Sequence, residues 1–167
     1  ALIAVMFTNN ETGNIYPIAE IAEMAAERGV QMLTDGVQVV GKLPLKLSEL
    51  PVNFFALSGH KLHAPKGVGA LYVRRGTPFR PFMLGGHQEH GRRAGTENVA
   101  SIVALGAACE LAGKHINDER TRVRAMRDRL EAGLLEKVRL AMVNGDPENR
   151  LPNTLNIAFK NIEGESI

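Results

Sequence analysis

The chain reads as an α/β protein on a mainly parallel sheet, and three observations predict this. Short apolar runs of strand length, Leu2–Thr8 and Val30–Thr34, flank a stretch of helical periodicity. Such a β-α-β unit places its strands parallel through a right-handed crossover. Polar residues of chemical interest then fall where the apolar runs stop, Asp35 after the second and Lys61 after a third. Open α/β sheets bind ligands at that edge.

Each element follows in order. Leu2 to Thr8 reads as a buried strand ending at the polar turn Asn9-Asn10-Glu11-Thr12-Gly13. Pro17 opens a helix where its missing N–H is harmless. Ile18, Ile21, Ala22 and Ala25 recur at helical spacing, and Gly29 supplies the C′ stop. Val30 to Thr34 is the next strand, with Asp35 at its carboxyl end. Val52 to Leu57 and Val68 to Arg74 are further strands, with the lysine-bearing segment between them. Thr77 to Gly95 is rich in Gly, Pro, His and Arg and reads as loop. Beyond Thr96, Val99, Ile102, Val103 and Ala107 mark a closely packed helix. Val123, Met126, Leu130, Leu134 and Val138 mark a second, with Arg and Glu opposite. Asn144-Gly145-Asp146-Pro147 is a turn and Leu155 to Phe159 a last strand. The domain boundary is expected near Thr96, dividing residues 1–96 from 97–167.

A chain of 167 residues holds one core, or one domain and part of another. With 44% hydrophobic residues, 23% charged and a net charge of +2, no global attraction to nucleic acid or membrane follows. No apolar run approaches the roughly 20 residues of a membrane span, so no membrane partner is expected. A single cysteine, Cys109, excludes an internal disulfide framework and suits a reducing compartment, hence the cytoplasm. Set mid-helix among small residues, it reads as a buried small hydrophobe. Both ends look like interior positions of a longer sequence: the chain starts inside an apolar strand and stops after a turn signal.

A lysine presented at a strand end behind a glycine and a hydroxyl, Ser58-Gly59-His60-Lys61, looks like a pyridoxal-phosphate Schiff-base lysine. That cofactor needs an amine, an acid facing the pyridine nitrogen, a donor to the phenolic oxygen and a phosphate cradle. Lys61 supplies the amine. Asp35 supplies the carboxylate that favours a protonated ring. Gln38 and Asn10 carry amide N–H donors for the phenolic oxygen. Ser58 and His60, on either side of Gly59, make a phosphate grip.

The stretches Asn9-Asn10-Glu11-Thr12-Gly13, Asp35-Gly36-Val37-Gln38, Ser58-Gly59-His60-Lys61, Pro65-Lys66-Gly67-Val68-Gly69 and Arg93-Ala94-Gly95-Thr96 together resemble the cysteine desulfurases. These are fold-type I pyridoxal-phosphate enzymes of the class V aminotransferase group. Gly85-Gly86-His87-Gln88-Glu89 and Leu151-Pro152-Asn153-Thr154 are similar to the nitrogen-fixation and iron–sulfur-cluster type. The resemblance covers essentially the whole chain, in the family's order. It implies a large-domain segment carrying part of the mainly parallel sheet, then the start of a small α+β domain.

By that resemblance, Lys61 is the covalent anchor and proton shuttle, with His60 beside it at the catalytic centre. Asp35 pairs with the ring nitrogen, Gln38 and Asn10 hold the phenolic oxygen, and Ser58 and His60 bind phosphate. Thr96 reaches the phosphate bound in the partner of a homodimer. The implied reaction takes sulfur from L-cysteine, leaving L-alanine and an enzyme persulfide for an iron–sulfur scaffold or other sulfur acceptor. Three departures stand out. Position 36 is Gly where the family has Ala beneath the ring, which implies looser ring placement. The ring-stacking histidine would precede Ala1. The nucleophilic cysteine and the arginine for the substrate carboxylate would follow Ile167, so these 167 residues alone should not release sulfide.

Three rivals remain. A related aminotransferase or selenocysteine lyase shares the fold. The spacings His60-x-x-His63 and His87-x-x-His90 allow a metal-binding module, although neither pair lies in a clear helix and no resident metal is expected. Arg74-Arg75, Arg80 and Arg92-Arg93 could form a basic nucleic-acid surface, but 5% aromatic content without Trp leaves few stacking platforms.

Overall fold

The computed structural model describes residues 1–167. Strand β1 (Leu2–Met6), helix α1 (Ile18–Glu27) and strand β2 (Gln31–Asp35) form the expected β-α-β unit, with β1 and β2 parallel. Strand β3 (Phe54–Ser58) lies parallel to β2, and β4 (Gly69–Val73) runs antiparallel to β3, giving the order β1-β2-β3-β4. The ten-residue link between β3 and β4 is shorter than a parallel crossover needs, and this sets the antiparallel direction.

The core lies on one face of this sheet. Ile18, Ala22 and Ala25 of α1 pack on Met32 and Phe55, with Val39, Leu50 and Val52 of the β2–β3 connection closing the cluster. Gly29 sits just past α1 at φ 63°, the left-handed stop expected of it. Arg74 is fastened beneath the connection, its Nε donating to the Val52 carbonyl at 2.8 Å.

Strand β1 corrects one expectation. It occupies a sheet edge, with only Ile3 and Val5 turned toward the core, while Leu2, Ala4 and Met6 alternate onto the uncovered face. A two-residue side-chain period lets one face pack while its opposite stays open.

After the one-turn α2 (Gln88–Gly91), helices α3 (Val99–Asp118) and α4 (Arg124–Lys137) are joined through a π-turn at Glu119–Val123. The two predicted helices are therefore one nearly continuous run. Arg122 grips Asp118 through two contacts of 2.8 and 2.9 Å across the junction. The buried faces also differ from expectation. In α3 it is Leu105 and Ala108 that pack, against Leu62 and Ala64 of the lysine turn, whereas Val99, Ile102 and Val103 are exposed. Small residues surround α3 on all sides, so no dominant apolar stripe dictates which face turns inward. In α4, Met126 and Leu130 are exposed and Arg127 is the buried side chain.

Val99–Lys137 is also long and apolar enough to cross a membrane by length and composition, with mean hydropathy 1.4 over an 18-residue stretch. This differs from the expectation that no run is long enough to span a membrane. Within this run Glu110 and Lys114 form an exposed ion pair at 2.5 Å, and Leu105 and Ala108 seat it on the lysine turn.

A second sheet pairs β5 (Ala141–Asn144) antiparallel with β6 (Asn156–Phe159). Strand β5, only four residues long, was not anticipated. Between these strands Asp146 organises the turn, accepting from the backbone N–H groups of Asn149 at 2.9 Å and Glu148 at 2.8 Å. Those donors, Asn149 foremost, hold its carboxyl below the ordinary carboxylate range. A carboxylate depressed in the folded state stabilises above its unfolded value, and that contribution fades as pH falls through the folded value. Hydrogen exchange of the Glu148 and Asn149 amides should therefore accelerate relative to intrinsic rates in acid below that range. The acid response should vanish in Asp146→Asn, and an unchanged response would contradict this account of the turn.

Candidate active site

The register of three parallel strands assembles the site. Met6 pairs with Asp35 and Asp35 with Ala56, so the carboxyl ends of β1, β2 and β3 stand side by side at one edge. The turn after β1 carries Asn10, the end of β2 carries Asp35, the turn after it carries Gln38, and Ser58 to Lys61 follow from β3. Parallel strands bring their chain-following turns to the same edge, which is why residues far apart in sequence meet here.

Asp35 is exposed, with Oδ1 accepting from the Val37 N–H at 2.9 Å. Its backbone is fixed from both sides: the Phe7 N–H donates to the Asp35 carbonyl at 2.8 Å, and the Gly36 N–H to the Ala56 carbonyl at 2.9 Å. Gly36 itself is required by close approach, since a Cβ there would lie 1.9 Å from Phe55 Cζ. The ring of Phe55, 1% exposed, fills the volume a methyl would take. The looser ring placement expected from glycine at 36 therefore does not follow, because that volume is already occupied.

Lys61 lies on a 3-10 turn, Gly59–Leu62, directly after β3, and its side chain is exposed. The turn is anchored on both sides: the Gly59 N–H donates to the Val68 carbonyl at 2.8 Å and the Ala64 N–H to the Gly59 carbonyl at 3.0 Å. A Cβ at Gly59 would meet Val68 Cγ1 at 2.8 Å, so only glycine lets these segments approach. Leu62 is buried against α3, fixing the turn's roll and directing Lys61 outward. Ser58 Oγ and His60 Nδ1 are 2.7 Å apart, so hydroxyl and imidazole are already mutually oriented. Thr96 is exposed between the Gly95 bend and Asn98, the N-cap of α3.

Lys42 went unnoticed in the sequence. Its Nζ donates to the Gln38 carbonyl at 3.0 Å, bracing the segment that carries Gln38. Burial holds this ammonium below its ordinary value. The Glu119 carboxylate works against that shift, and the positive charge of Lys61 adds to it. Its four-residue separation from Gln38 was the available signal.

Other expectations resolve differently. Cys109 is exposed rather than buried: the contacts of α3 with the lysine turn are made by Leu105 and Ala108 and stop short of it. The two His pairs gain no further ligands: no group of three or more His, Cys, Asp or Glu side chains gathers anywhere in the chain.

The chain matches the aminotransferase class-V family model over residues 1–167. It is 60% identical over its whole length to a cysteine desulfurase of Gluconacetobacter diazotrophicus and 58% identical to the cysteine desulfurase NifS of Azotobacter vinelandii. It spans 42% of the length of each of these relatives. A solved NifS-like protein from Rickettsia africae superposes with a TM-score of 0.93 at 30% identity, over 99% of this chain and 46% of that one. A NIFS-like protein superposes equally well at 38% identity. With the motif residues at the carboxyl edge of the same fold, the chain belongs to the class V aminotransferase family.

Proposed function

We propose that the complete protein is a pyridoxal-phosphate-dependent cysteine desulfurase. The observation that carries this reading is the gathering of Asn10, Asp35, Gln38, Ser58, His60 and Lys61 at one sheet edge, in a chain 60% identical to a curated desulfurase. The donor set fits the cofactor: an exposed amine, an exposed carboxylate on the adjacent strand, amides on two turns and a paired hydroxyl and imidazole. Pyridoxal phosphate, when bound, supplies the electron sink that stabilises negative charge beside the substrate's amino nitrogen.

The chain's own residues divide the remaining work. Lys61 holds the cofactor and moves the proton at the substrate's α-carbon. Asp35, fixed through the Phe7 and Gly36 backbone contacts, keeps the ring nitrogen protonated. Gln38 and Asn10 donate to the phenolic oxygen. Ser58 and His60 grip phosphate, and Thr96 contributes to the phosphate site of a second subunit in a homodimer. Residues 1–96 belong to the cofactor domain and 97–167 lead into the small domain. The sulfur of L-cysteine leaves as an enzyme persulfide, the β-carbon gains a proton, and L-alanine remains. An iron–sulfur scaffold or another cytoplasmic acceptor takes the sulfur.

Incubating the complete protein with L-cysteine and a thiol reductant should yield alanine and sulfide in equal amounts. An aminotransferase would instead leave a keto acid and no sulfide, and that result would overturn the proposal.

A further inference from the structure

The turn that carries Asn10 is tied from a distant part of the chain. Within itself, Asn9 Oδ1 accepts from the Glu11 and Thr12 N–H groups, each at 2.9 Å, and the Asn9 N–H donates to the Asn14 carbonyl at 2.9 Å. The Asn10 side chain stays exposed above this closed loop. From the β5–β6 segment, the Asp146 N–H donates to Asn14 Oδ1 at 2.8 Å and the Leu151 N–H to the Gly13 carbonyl at 2.9 Å. The Ile15 N–H donates to the Asn149 carbonyl at 2.8 Å, and Asn156 Nδ2 to the Glu11 carbonyl at 3.3 Å. The two backbones approach so closely that a Cβ at Gly13 would meet Thr154 Cβ at 2.7 Å, and one at Gly145 would meet Asn14 Oδ1 at 2.5 Å.

The β5–β6 segment is fastened in turn to α4. Arg127, 8% exposed, donates from Nη1 to the Leu151 carbonyl at 3.2 Å and the Thr154 carbonyl at 3.4 Å. Arg150, 7% exposed, pairs with Glu131. A continuous path thus runs from α4 through the segment to the backbone that follows Asn10, Glu11 to Ile15, and from Asn14 to the Asn9 N–H.

We propose that Asn14 is a positioning residue: through Asp146 it registers the Asn10 turn against the β5–β6 segment, so the Asn10 amide is aimed by that unit. The inference rests on the reading of Asn10 as donor to the cofactor's phenolic oxygen. A donated N–H favours the deprotonated oxygen, so losing it raises the pH midpoint of the visible absorbance of the cofactor-loaded protein.

The test measures that midpoint in the complete holoenzyme for Asn10→Ala and Asn14→Ala. It also measures hydrogen exchange of the Asp146 and Leu151 amides in the cofactor-free protein. Asn10→Ala should raise proton affinity roughly tenfold, and Asn14→Ala roughly threefold in the same direction, the scale of one lost hydrogen bond. Asn14→Ala should also speed exchange at both amides. A shift for Asn10→Ala with none for Asn14→Ala, despite faster exchange, would leave the Asn10 assignment intact and overturn this proposal. No shift for Asn10→Ala would remove the underlying reading and the proposal together. If Asn14→Ala does not fold, Asn156→Ala, which removes the contact to the Glu11 carbonyl together with the Asn144 Nδ2 contact inside the β5–β6 pair, must raise proton affinity about twofold. Its failure to do so overturns the proposal equally.

Discussion

Lys61→Ala in the complete protein is expected to abolish the yellow absorbance and reduce desulfurase turnover by at least about 10³-fold. The loss combines the covalent hold with a positioned proton carrier, and the second alone contributes roughly 10²–10⁴. The structure makes the experiment clean. Lys61 is exposed, and the turn beneath it is held by Gly59, Leu62 and Ala64 through backbone contacts and burial against α3. Truncation at 61 therefore removes the amine and leaves the scaffold. Unfolding midpoints should stay within about 0.5 kcal/mol of the parent cofactor-free protein, as for an exposed site. Retained colour with retained turnover would dismiss Lys61 as the anchor.

Gly36→Ala should have the largest effect on stability, lowering it by about 1–3 kcal/mol, the usual scale for overfilling a close-packed core. The added methyl would stand 1.9 Å from Phe55 Cζ, and Phe55 is enclosed by Met32, Val39, Val52 and α1. The ring has nowhere nearby to go. Phe55→Leu in the Gly36→Ala background should recover part of the loss, so the two changes combine with less than additive cost. Denaturant titration of the four proteins measures the coupling. Strict additivity would mean that glycine at 36 serves something other than room for this ring.

Much of this arrangement was legible in the sequence for identifiable reasons. The β-α-β unit announced itself through Pro17, the apolar spacing from Ile18 to Ala25 and Gly29, since each is local chemistry acting on the local backbone. That the candidate site residues share one edge was legible because they follow strands directly, and parallel strands send their trailing turns to one edge. Other features depended on partners remote in sequence. Helical spacing marks where apolar residues lie around α3 but not which side finds a neighbour. Leu105 and Ala108 won because the lysine turn offered Leu62 and Ala64. Cys109 was misplaced for the same reason. Strand β5 is four residues long and is defined by pairing with β6 across a twelve-residue separation at Asn144 and Asn156, which leaves almost no periodic signal. Phe55 beneath Gly36 joins neighbouring strands, and the contact exists only once their register is set.

The account stands most directly on which amine bears the cofactor. Borohydride reduction of the complete holoenzyme fixes the cofactor to whatever nitrogen holds it, and peptide mass spectrometry then locates the label. The expected result is a single pyridoxyl adduct on Lys61. An adduct on neighbouring Lys42 or Lys66 instead, or none within this segment, would contradict it.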